Sequence, residues 1–200
     1  MRLFLASESP RRRELLKLAV ESFEVETASV TEISASESVT PEDAAGCNAA
    51  LKAEAVACRH RNDLVLGADT VVILDGKLYG KPRDLEQAKE FLRTFSGREH
   101  RVVTAVALRH AATDYKDDFI AESRVKFRVL SNEDIASYLA LVPVLDKAGA
   151  YGIQDHGEML VESITGELEN IIGLPVAELR KHLNGSGFFK DSVACVGSEN

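Results

Sequence analysis

The sequence predicts a mixed α/β fold in which a twisted mixed sheet forms two lobes around a central cleft. Segments with helical and with strand periodicity mix along the 200 residues, and hairpins occur among the strands, as Asp75-Gly76 indicates. Because hairpins join antiparallel strands, these observations favour a mixed sheet over a doubly wound, all-parallel one. The natural place for a functional site in such a fold is the cleft between the lobes.

Each predicted element follows from its hydrophobic spacing and from the residues at its ends. Short apolar or alternating runs predict strands at residues 2–6, 23–27, 63–68, 71–74, 101–108, 119–129 and 159–164, with a hairpin partner at 78–79. Helical spacing predicts helices at residues 10–20, 41–60, 85–95, 132–141 and 175–183. Ser9, Thr40 and Ser131 are the expected N-caps of three of these helices. Residues 28–39 and 146–154 are expected to be irregular.

Length and composition predict one domain, residues 1–185, followed by a tail, residues 186–200, that lacks periodicity and is expected to fray. The formal net charge of −8 disfavours a general nucleic-acid or anionic-membrane binder, because such proteins usually present basic surfaces. No stretch approaches the roughly 20 apolar residues of a membrane span, and the N-terminal apolar run is too short for a signal peptide. Cys47, Cys58 and Cys195 lack zinc-ligand spacing, so we expect reduced thiols and a cytoplasmic location.

The first turn of the first predicted helix carries three arginines, Arg11 to Arg13, directly after Ser7 and Ser9. The helix macrodipole makes cations unfavourable at this end by about 0.3–1 kcal/mol each. An anion bound by the free backbone N–H groups, the hydroxyls and the guanidinium groups would explain this arrangement. The alternative is a solvated basic turn whose arginines pair with Glu8 and Glu14.

Three further segments suggest a site. Asp69 interrupts two apolar runs, so we expect it at a strand end facing the cleft, as a metal ligand or general base; the alternative is a turn cap. Lys81 and Arg83 flank a proline and could neutralise phosphate, although an ordinary solvated loop has the same pattern. Gln154 ends a glycine-rich segment and offers a donor and an acceptor to a nucleobase edge, unless that segment is only a flexible loop.

Taken together, these segments resemble the Maf family of nucleotide pyrophosphatases. The matching segments are residues 6–16, 67–72, 80–84, 96–97 with His100, 146–154 and 173–175, and they follow the order of the family. The resemblance implies a fold similar to that of the inosine triphosphate pyrophosphatases, and often a homodimer. It also implies hydrolysis of a nucleoside triphosphate to the monophosphate and pyrophosphate, with Mg²⁺ or Mn²⁺ as cofactor.

The resemblance also implies roles for individual residues. The segment 149–154 is similar to that of the branch acting on dTTP and UTP rather than on 7-methyl-GTP, so thymidine, uridine and modified pyrimidine triphosphates are the expected substrates. Carried over by matching position, the roles are general base for Asp69, substrate selection for Arg11, Thr70 and Gln154, phosphate binding for Ser7, Arg12, Lys52 and Lys81, and metal binding for Glu32 with Asp69. Two departures from the family pattern are Ser123, where Thr is commoner, and residues 168–170.

Glu32 and Lys52 have no distinctive surroundings in the sequence, and as isolated residues a loop Glu and a helical Lys usually face solvent. Other functions also remain open at this stage. A phosphatase would release orthophosphate, and a regulator of cell division would bind nucleotide without turnover. A nucleic-acid binder would use Arg11 to Arg13, although the net charge and the scarcity of aromatic residues disfavour it.

Overall fold

A computed structural model describes residues 1–36 and 38–188 of the protein. Within these residues seven strands form one mixed sheet: β1 (Leu3–Leu5), β2 (Glu24–Val25), β3 (Leu64–Leu74), β4 (Lys77–Tyr79), β5 (Glu99–His110), β6 (Tyr115–Phe127) and β7 (Val161–Thr165). The helices are α1 (Pro10–Ala19), α2 (Pro41–Ala57), α3 (Leu85–Phe95), α4 (Asn132–Leu141), α5 (Leu168–Ile172) and α6 (Val176–Gly185), with short 3-10 turns at Ala148–Ala150 and Gly157–Met159. The predicted mixed α/β fold is confirmed.

The strand order is β2-β1-β3-β5-β6-β7, and β4 pairs separately with β3. β1 is parallel to both β2 and β3, whereas the remaining pairs are antiparallel. The hairpin between β3 and β4 turns at Asp75 and Gly76, both of which have positive φ, as the tight hairpin turns require. None of the helices in the described part of the chain combines the length and apolar character needed to cross a bilayer.

Local capping explains where three of the helices begin. Ser9 accepts a hydrogen bond from the backbone N–H of the third helical residue of α1, and Thr40 does the same at the start of α2. Ser131 and Asp134 form a reciprocal capping box at the start of α4. All three predicted N-caps are therefore confirmed.

One prediction about the elements is wrong, and one helix was missed. Residues 63–68 and 71–74 are not separate strands, because β3 runs without interruption through Asp69 and Thr70. The backbone of this segment is paired with β5 throughout, so its polar side chains do not mark a turn. The helix α5 was not predicted, and its five residues are too few to show a helical period.

The sheet is open on one edge of β3, which divides the fold into two lobes. β1 pairs with Leu64–Leu66 and β4 pairs with Val72–Leu74, so neither reaches residues 67–71. Below this gap, α1 and α6 pack on β1 and the first part of β3, around Leu16 and Leu66. Above it, α3 and α4 pack on the second part of β3 and on β5 and β6. The gap is where a ligand could approach the central strand from the side.

Helix α2 covers the face of β3 that points away from α1 and α6. It does so with a row of small residues, Ala45, Ala49 and Ala53, all fully buried. This packing is close at Gly67, where a Cβ atom would lie 2.2 Å from the carbonyl oxygen of Ala49 and 2.7 Å from the backbone nitrogen of Ala53. A glycine in β3 is therefore what allows α2 to approach the strand.

The predicted tail begins where α6 ends, at Gly185. The ring of Phe188 packs against Tyr115 and His110, with centroid distances of 5.2 and 4.8 Å. The rest of the predicted tail, residues 189–200, lies outside the described residues, and the domain boundary at residue 185 stays a prediction.

Candidate active site

The polar residues of β3 lie at its open edge and point to opposite faces of the sheet. Side chains alternate along a strand, so Asp69 faces α2 and Thr70 faces α1. We expected Asp69 at a strand end, and this is wrong: it lies in the middle of β3, opposite Ala105 of β5. Its carboxylate nevertheless retains access to solvent, because neither β1 nor β4 pairs with this part of β3.

Lys52 brings two carboxylates together on the α2 face. Its ammonium nitrogen lies 2.8 Å from Asp69 Oδ1 and 2.7 Å from Glu32 Oε1. The side chains of Lys52 and Asp69 are only 12% and 15% exposed, whereas Glu32 is 58% exposed. The hydrogen bond from Lys52 holds the pKa of Glu32 below its usual value, and the charges of Lys52, Lys81 and Arg12 add to this effect. Glu32 and Lys52, which the sequence alone could not distinguish from surface residues, are thus placed beside Asp69.

Asn48 belongs to the same cluster, and sequence reasoning missed it. It lies one turn before Lys52 on α2, is 4% exposed, and donates from Nδ2 to Asp69 Oδ2 at 3.4 Å. Its amide also pairs with the backbone of Ile33, accepting from the N–H at 2.7 Å and donating to the carbonyl at 3.0 Å. Asn48 therefore fixes the loop that carries Glu32. The available signal was a polar residue on the buried, alanine-rich face of α2, at i−4 from Lys52.

Arg12 extends from the first turn of α1 to the other face of β3. Its guanidinium donates to Gly173 O at 2.9 Å from Nε, to Thr70 Oγ1 at 2.9 Å from Nη2, and to Ser7 Oγ at 3.4 Å from Nη1. Burial lowers the pKa of Arg12, while the charges of Asp69 and Glu32 oppose this effect. A guanidinium has five N–H groups, so these three contacts leave two for another acceptor.

In the first turn of α1, Arg13 is exposed, whereas Arg11 and Arg12 contact residues far along the chain and not the neighbouring carboxylates. Glu14 pairs with Lys17 at 2.8 Å, and there is no acidic residue in the first turn. Arg11 instead reaches Asp146 at 3.4 Å, with its side chain 35% exposed. Burial raises the pKa of Asp146, but Lys147 and Arg11 outweigh this effect and hold that pKa below its usual value.

The remaining two predicted residues occupy different positions relative to this cluster. Lys81 is exposed, and its positive charge contributes to lowering the pKa of Glu32. The backbone N–H of Gly149 donates to Gly80 O at 3.0 Å, which ties the glycine-rich segment to the loop of Lys81. Gln154 lies farther along that segment, is exposed, and lines a shallow depression formed by Leu141, Val142, Pro143, Asp155, His156 and Glu158. Among the described residues, Gln154 makes no hydrogen bond to the cluster around Asp69, and its role in selection stays a prediction.

The carboxylate pair fits a hard divalent cation. Within residues 1–36 and 38–188, no three His, Cys, Asp or Glu side chains are close enough to form a complete metal site. Glu32 and Asp69, however, both contact the ammonium of Lys52, so their oxygens already converge on a positive charge. Mg²⁺ and similar ions are commonly held by one or two carboxylates, with water and substrate phosphates as the other ligands.

The charge of the site differs from that of the whole protein. Arg11, Arg12, Lys52 and Lys81 supply four positive charges against three carboxylates, Glu32, Asp69 and the Asp146 that pairs with Arg11, in a chain with a net charge of −8. Such a concentration of cations attracts a polyanion that the rest of the surface would repel. The arrangement therefore places cations, which attract phosphate groups, on both faces of β3, with Lys52 beside Asp69 and Arg12 beside Thr70.

Comparison with known proteins gives consistent results. A family described as "Maf-like protein" matches residues 2–186. The dTTP/UTP pyrophosphatase of Akkermansia muciniphila is 45% identical over 93% of this chain and 97% of its own length. The proteins of the same name from Bacillus velezensis and Clostridioides difficile are 43% and 44% identical, covering 91% and 90% of this chain and 95% and 92% of their own lengths. The solved structure of the Staphylococcus aureus Ham1 protein covers 93% of this chain and all of its own, with a TM-score of 0.53 at 16% identity, which is a likeness of fold alone.

Proposed function

Because the chain belongs to the Maf-like protein family, we propose that it is a nucleoside triphosphate pyrophosphatase whose preferred substrates are dTTP and UTP. The reaction adds water across the bond between the α- and β-phosphates and gives the nucleoside monophosphate and pyrophosphate. The observation that carries this proposal is the meeting of Asp69, Glu32 and Lys52 at the open edge of β3, beside Arg12. The substrate preference rests on the names of the relatives and on the similarity of residues 149–154 to that branch of the family.

The cations of the site would bind the triphosphate. Its roughly four negative charges would be neutralised by Arg11, Arg12, Lys52 and Lys81, and charge developing on the phosphates would be stabilised in the same way. Arg12 is well suited to this role, since Gly173, Thr70 and Ser7 fix its plane and leave two N–H groups free. Ser7, which is 7% exposed and receives a hydrogen bond from Arg12, would complete this end of the site.

Asp69 would act as the general base. A carboxylate has about four lone-pair positions, and Lys52 and Asn48 use one on each oxygen of Asp69. The remaining positions can accept a hydrogen bond from a water molecule, orient its oxygen toward phosphorus and take up its proton as the bond to phosphorus forms. No covalent intermediate is required, since water is the nucleophile.

Glu32 and Asp69 would hold Mg²⁺ or Mn²⁺, which when bound supplies further positive charge to the phosphate oxygens. Arg11, Thr70 and Gln154 would select the substrate. A homodimer and a cytoplasmic location are also proposed on the basis of the family resemblance, and light scattering after size-exclusion chromatography tests the first.

The test is a panel of nucleoside triphosphates assayed with Mg²⁺ or Mn²⁺ for release of pyrophosphate and of orthophosphate. We expect pyrophosphate, fastest from dTTP and UTP, and Gln154→Ala should narrow the difference between UTP and the other nucleotides. Asp69→Asn should abolish turnover while nucleotide binding, measured by calorimetry, persists. Near-normal turnover by Asp69→Asn would show that Asp69 is not the base, and orthophosphate as the first product would refute the assigned reaction.

A further inference from the structure

A line of hydrogen bonds leads from Arg12 through the sheet. Arg12 Nη2 lies 2.9 Å from Thr70 Oγ1, and Thr70 Oγ1 lies 3.0 Å from Thr104 Oγ1. Thr104 Oγ1 lies 3.1 Å from the carbonyl oxygen of Asn170. Thr70 and Thr104 are directly opposite each other in the pairing of β3 with β5, and Thr104 is completely buried.

The direction of this line is determined by its two ends. A guanidinium can only donate and a carbonyl oxygen can only accept, whereas each hydroxyl has one proton. Thr104 must therefore donate to Asn170, so Thr70 must donate to Thr104. The other acceptor within reach of Thr70, Gly173 O, is 3.5 Å away. If Thr70 donated there instead, two hydroxyl oxygens 3.0 Å apart would face each other without a proton between them.

The acceptor end of the line is rigid. Asn170 is 1% exposed, and its Nδ2 donates to Val102 O at 3.1 Å and to Ser123 Oγ at 3.0 Å. Ser123 in turn donates to Glu167 O at 2.9 Å. The two departures from the family pattern, Ser123 and the segment of Asn170, are thus in direct contact, and this contact fixes Asn170, whose backbone carbonyl accepts the hydrogen bond from Thr104.

The consequence concerns what Thr70 can offer to a ligand. Its proton is used by Thr104 and one lone pair is used by Arg12, so the remaining lone pair can only accept. We propose that Thr104 is a positioning residue that keeps Thr70 a hydrogen-bond acceptor, and that Thr70 thereby selects a substrate group bearing an N–H. The ring N3 of uracil and thymine carries a hydrogen, whereas the ring N3 of cytosine does not.

This inference rests on the proposed function, because it assigns a partner to Thr70 in substrate selection. It explains how one hydroxyl, which is ordinarily both donor and acceptor, could distinguish two pyrimidines of nearly equal size. A hydroxyl that offers only a lone pair leaves a cytosine ring nitrogen facing that lone pair, and such mismatched polar groups are rejected strongly.

The experiment compares kcat/KM for pyrophosphate release from UTP and from CTP. Thr104→Val removes the acceptor for Thr70, so the ratio of UTP to CTP activity should fall by about tenfold, the effect of losing one net hydrogen bond. Thr104→Ser keeps the hydroxyl and should stay within about threefold of the wild-type ratio. Thr113→Val is the matched control, because it also removes one hydroxyl hydrogen bond, the one to His110. Thr113 lies in the turn between β5 and β6, so the ratio of UTP to CTP activity should be unchanged in this variant.

A double-variant comparison separates positioning from packing. Thr70→Val should lower the same ratio, and Thr70→Val with Thr104→Val should lower it no further, because Thr104 acts only through Thr70. Additive losses would overturn the proposal, as would an unchanged ratio in Thr104→Val or a loss in Thr104→Ser equal to that in Thr104→Val. If Thr104→Val does not fold, Thr70→Val and Thr104→Ser decide the matter by the same ratio.

The proposed function and this inference fail differently. Absence of pyrophosphate release by the wild type from every nucleotide would overturn the proposed function. Calorimetry with UMP and CMP then decides the inference alone: wild type should bind UMP more tightly, and Thr104→Val should reduce that preference by about tenfold. Equal binding of UMP and CMP by the wild type would overturn it.

Discussion

Replacement of Gly67 by alanine tests the idea that close packing of α2 on β3 positions the site. A Cβ atom at residue 67 would lie 2.2 Å from Ala49 O and 2.7 Å from the backbone nitrogen of Ala53, whereas ordinary contacts begin at 3.4 Å. Both atoms belong to the backbone of α2, so no side-chain rotation can relieve the overlap. The helix must therefore retreat from β3 by about 1 Å, and Asn48 and Lys52 move with it.

The size of the effect can be estimated. Overpacking a close-packed interior typically costs about 1–3 kcal/mol, and two backbone overlaps place Gly67→Ala at the upper end. For a protein of this length 1 kcal/mol corresponds to about 2–4 °C, so the melting temperature should fall by about 6–12 °C. A misplacement of 1 Å near the reacting groups can cost about 100-fold in rate, and we expect kcat/KM to fall on that scale while the variant is still folded.

Gly46→Ala is the matched control, because Gly46 lies inside the same helix and a Cβ atom there would have no neighbour within 4 Å. Alanine is favoured over glycine in a helix interior by about 1 kcal/mol, so this variant should melt about 2–4 °C higher than the wild type with normal activity. Differential scanning calorimetry and the pyrophosphate assay measure both variants. A Gly67→Ala melting temperature within about 1 °C of the wild type, where a fall of about 6 °C or more is expected, would refute the reasoning.

Two further predictions concern buried polar residues. Burial lowers the pKa of His100 from 6.5 to about 4. The free energy of unfolding that depends on the neutral imidazole is therefore fully present above pH 6.5 and is lost as the pH falls toward 4. The loss is at most about 1.4 kcal/mol per pH unit. Chemical denaturation at pH 7 and pH 5 should show this loss in the wild type and a smaller loss in His100→Phe; equal losses would contradict it. Asn48→Leu preserves volume but removes the acceptor of the Ile33 N–H, so exchange of that amide should accelerate by about tenfold, whereas Cys47→Ser, an exposed neighbour, should leave it unchanged. Unaltered exchange in Asn48→Leu would show that the loop of Glu32 is held by other contacts.

The parts of the fold that were predicted from sequence are those fixed by neighbouring residues. The caps at Ser9, Thr40 and Ser131 each satisfy a backbone N–H only three residues away. The turn at Asp75-Gly76 needs positive φ at adjacent positions, which the residue types themselves indicate. The long pair β5 and β6 follows from two strand patterns, since β5 is an apolar run that is buried along most of its length and β6 alternates between buried or half-buried and exposed residues.

The errors arose where tertiary contacts determine the structure. Asp69 and Thr70 interrupt an apolar run, which usually indicates a turn, but pairing with β5 continues through both residues because their side chains have polar partners on either face. The helix α5 is held by contacts with β5 and β6 rather than by a period of its own. Neither signal is contained within the local sequence.

The candidate site shows the same limit. Arg12 and Asp69 are distinctive in the sequence, but Asn48 is only a polar residue on an alanine-rich helix face. Its contacts with Ile33, 15 residues earlier in the chain, and with Asp69, 21 residues later, assign it to the site. Gln154 is the opposite case: the sequence singled it out as a candidate, but in the fold it lies beside the end of α4 and not in the carboxylate cluster. Residue type indicated which side chains could act, and the fold determined which of them meet.

Alternation along β3 makes the length of its central segment as important as its composition. Asp69 and Thr70 serve two different faces of the sheet because one residue separates successive orientations. Deletion or insertion of a single residue between 67 and 71 would exchange the two faces, turning an acid toward Arg12 and Gly173 and a hydroxyl toward Lys52. The loop of residues 28–35, which pairs with no strand, is under no such constraint except where Asn48 holds Ile33.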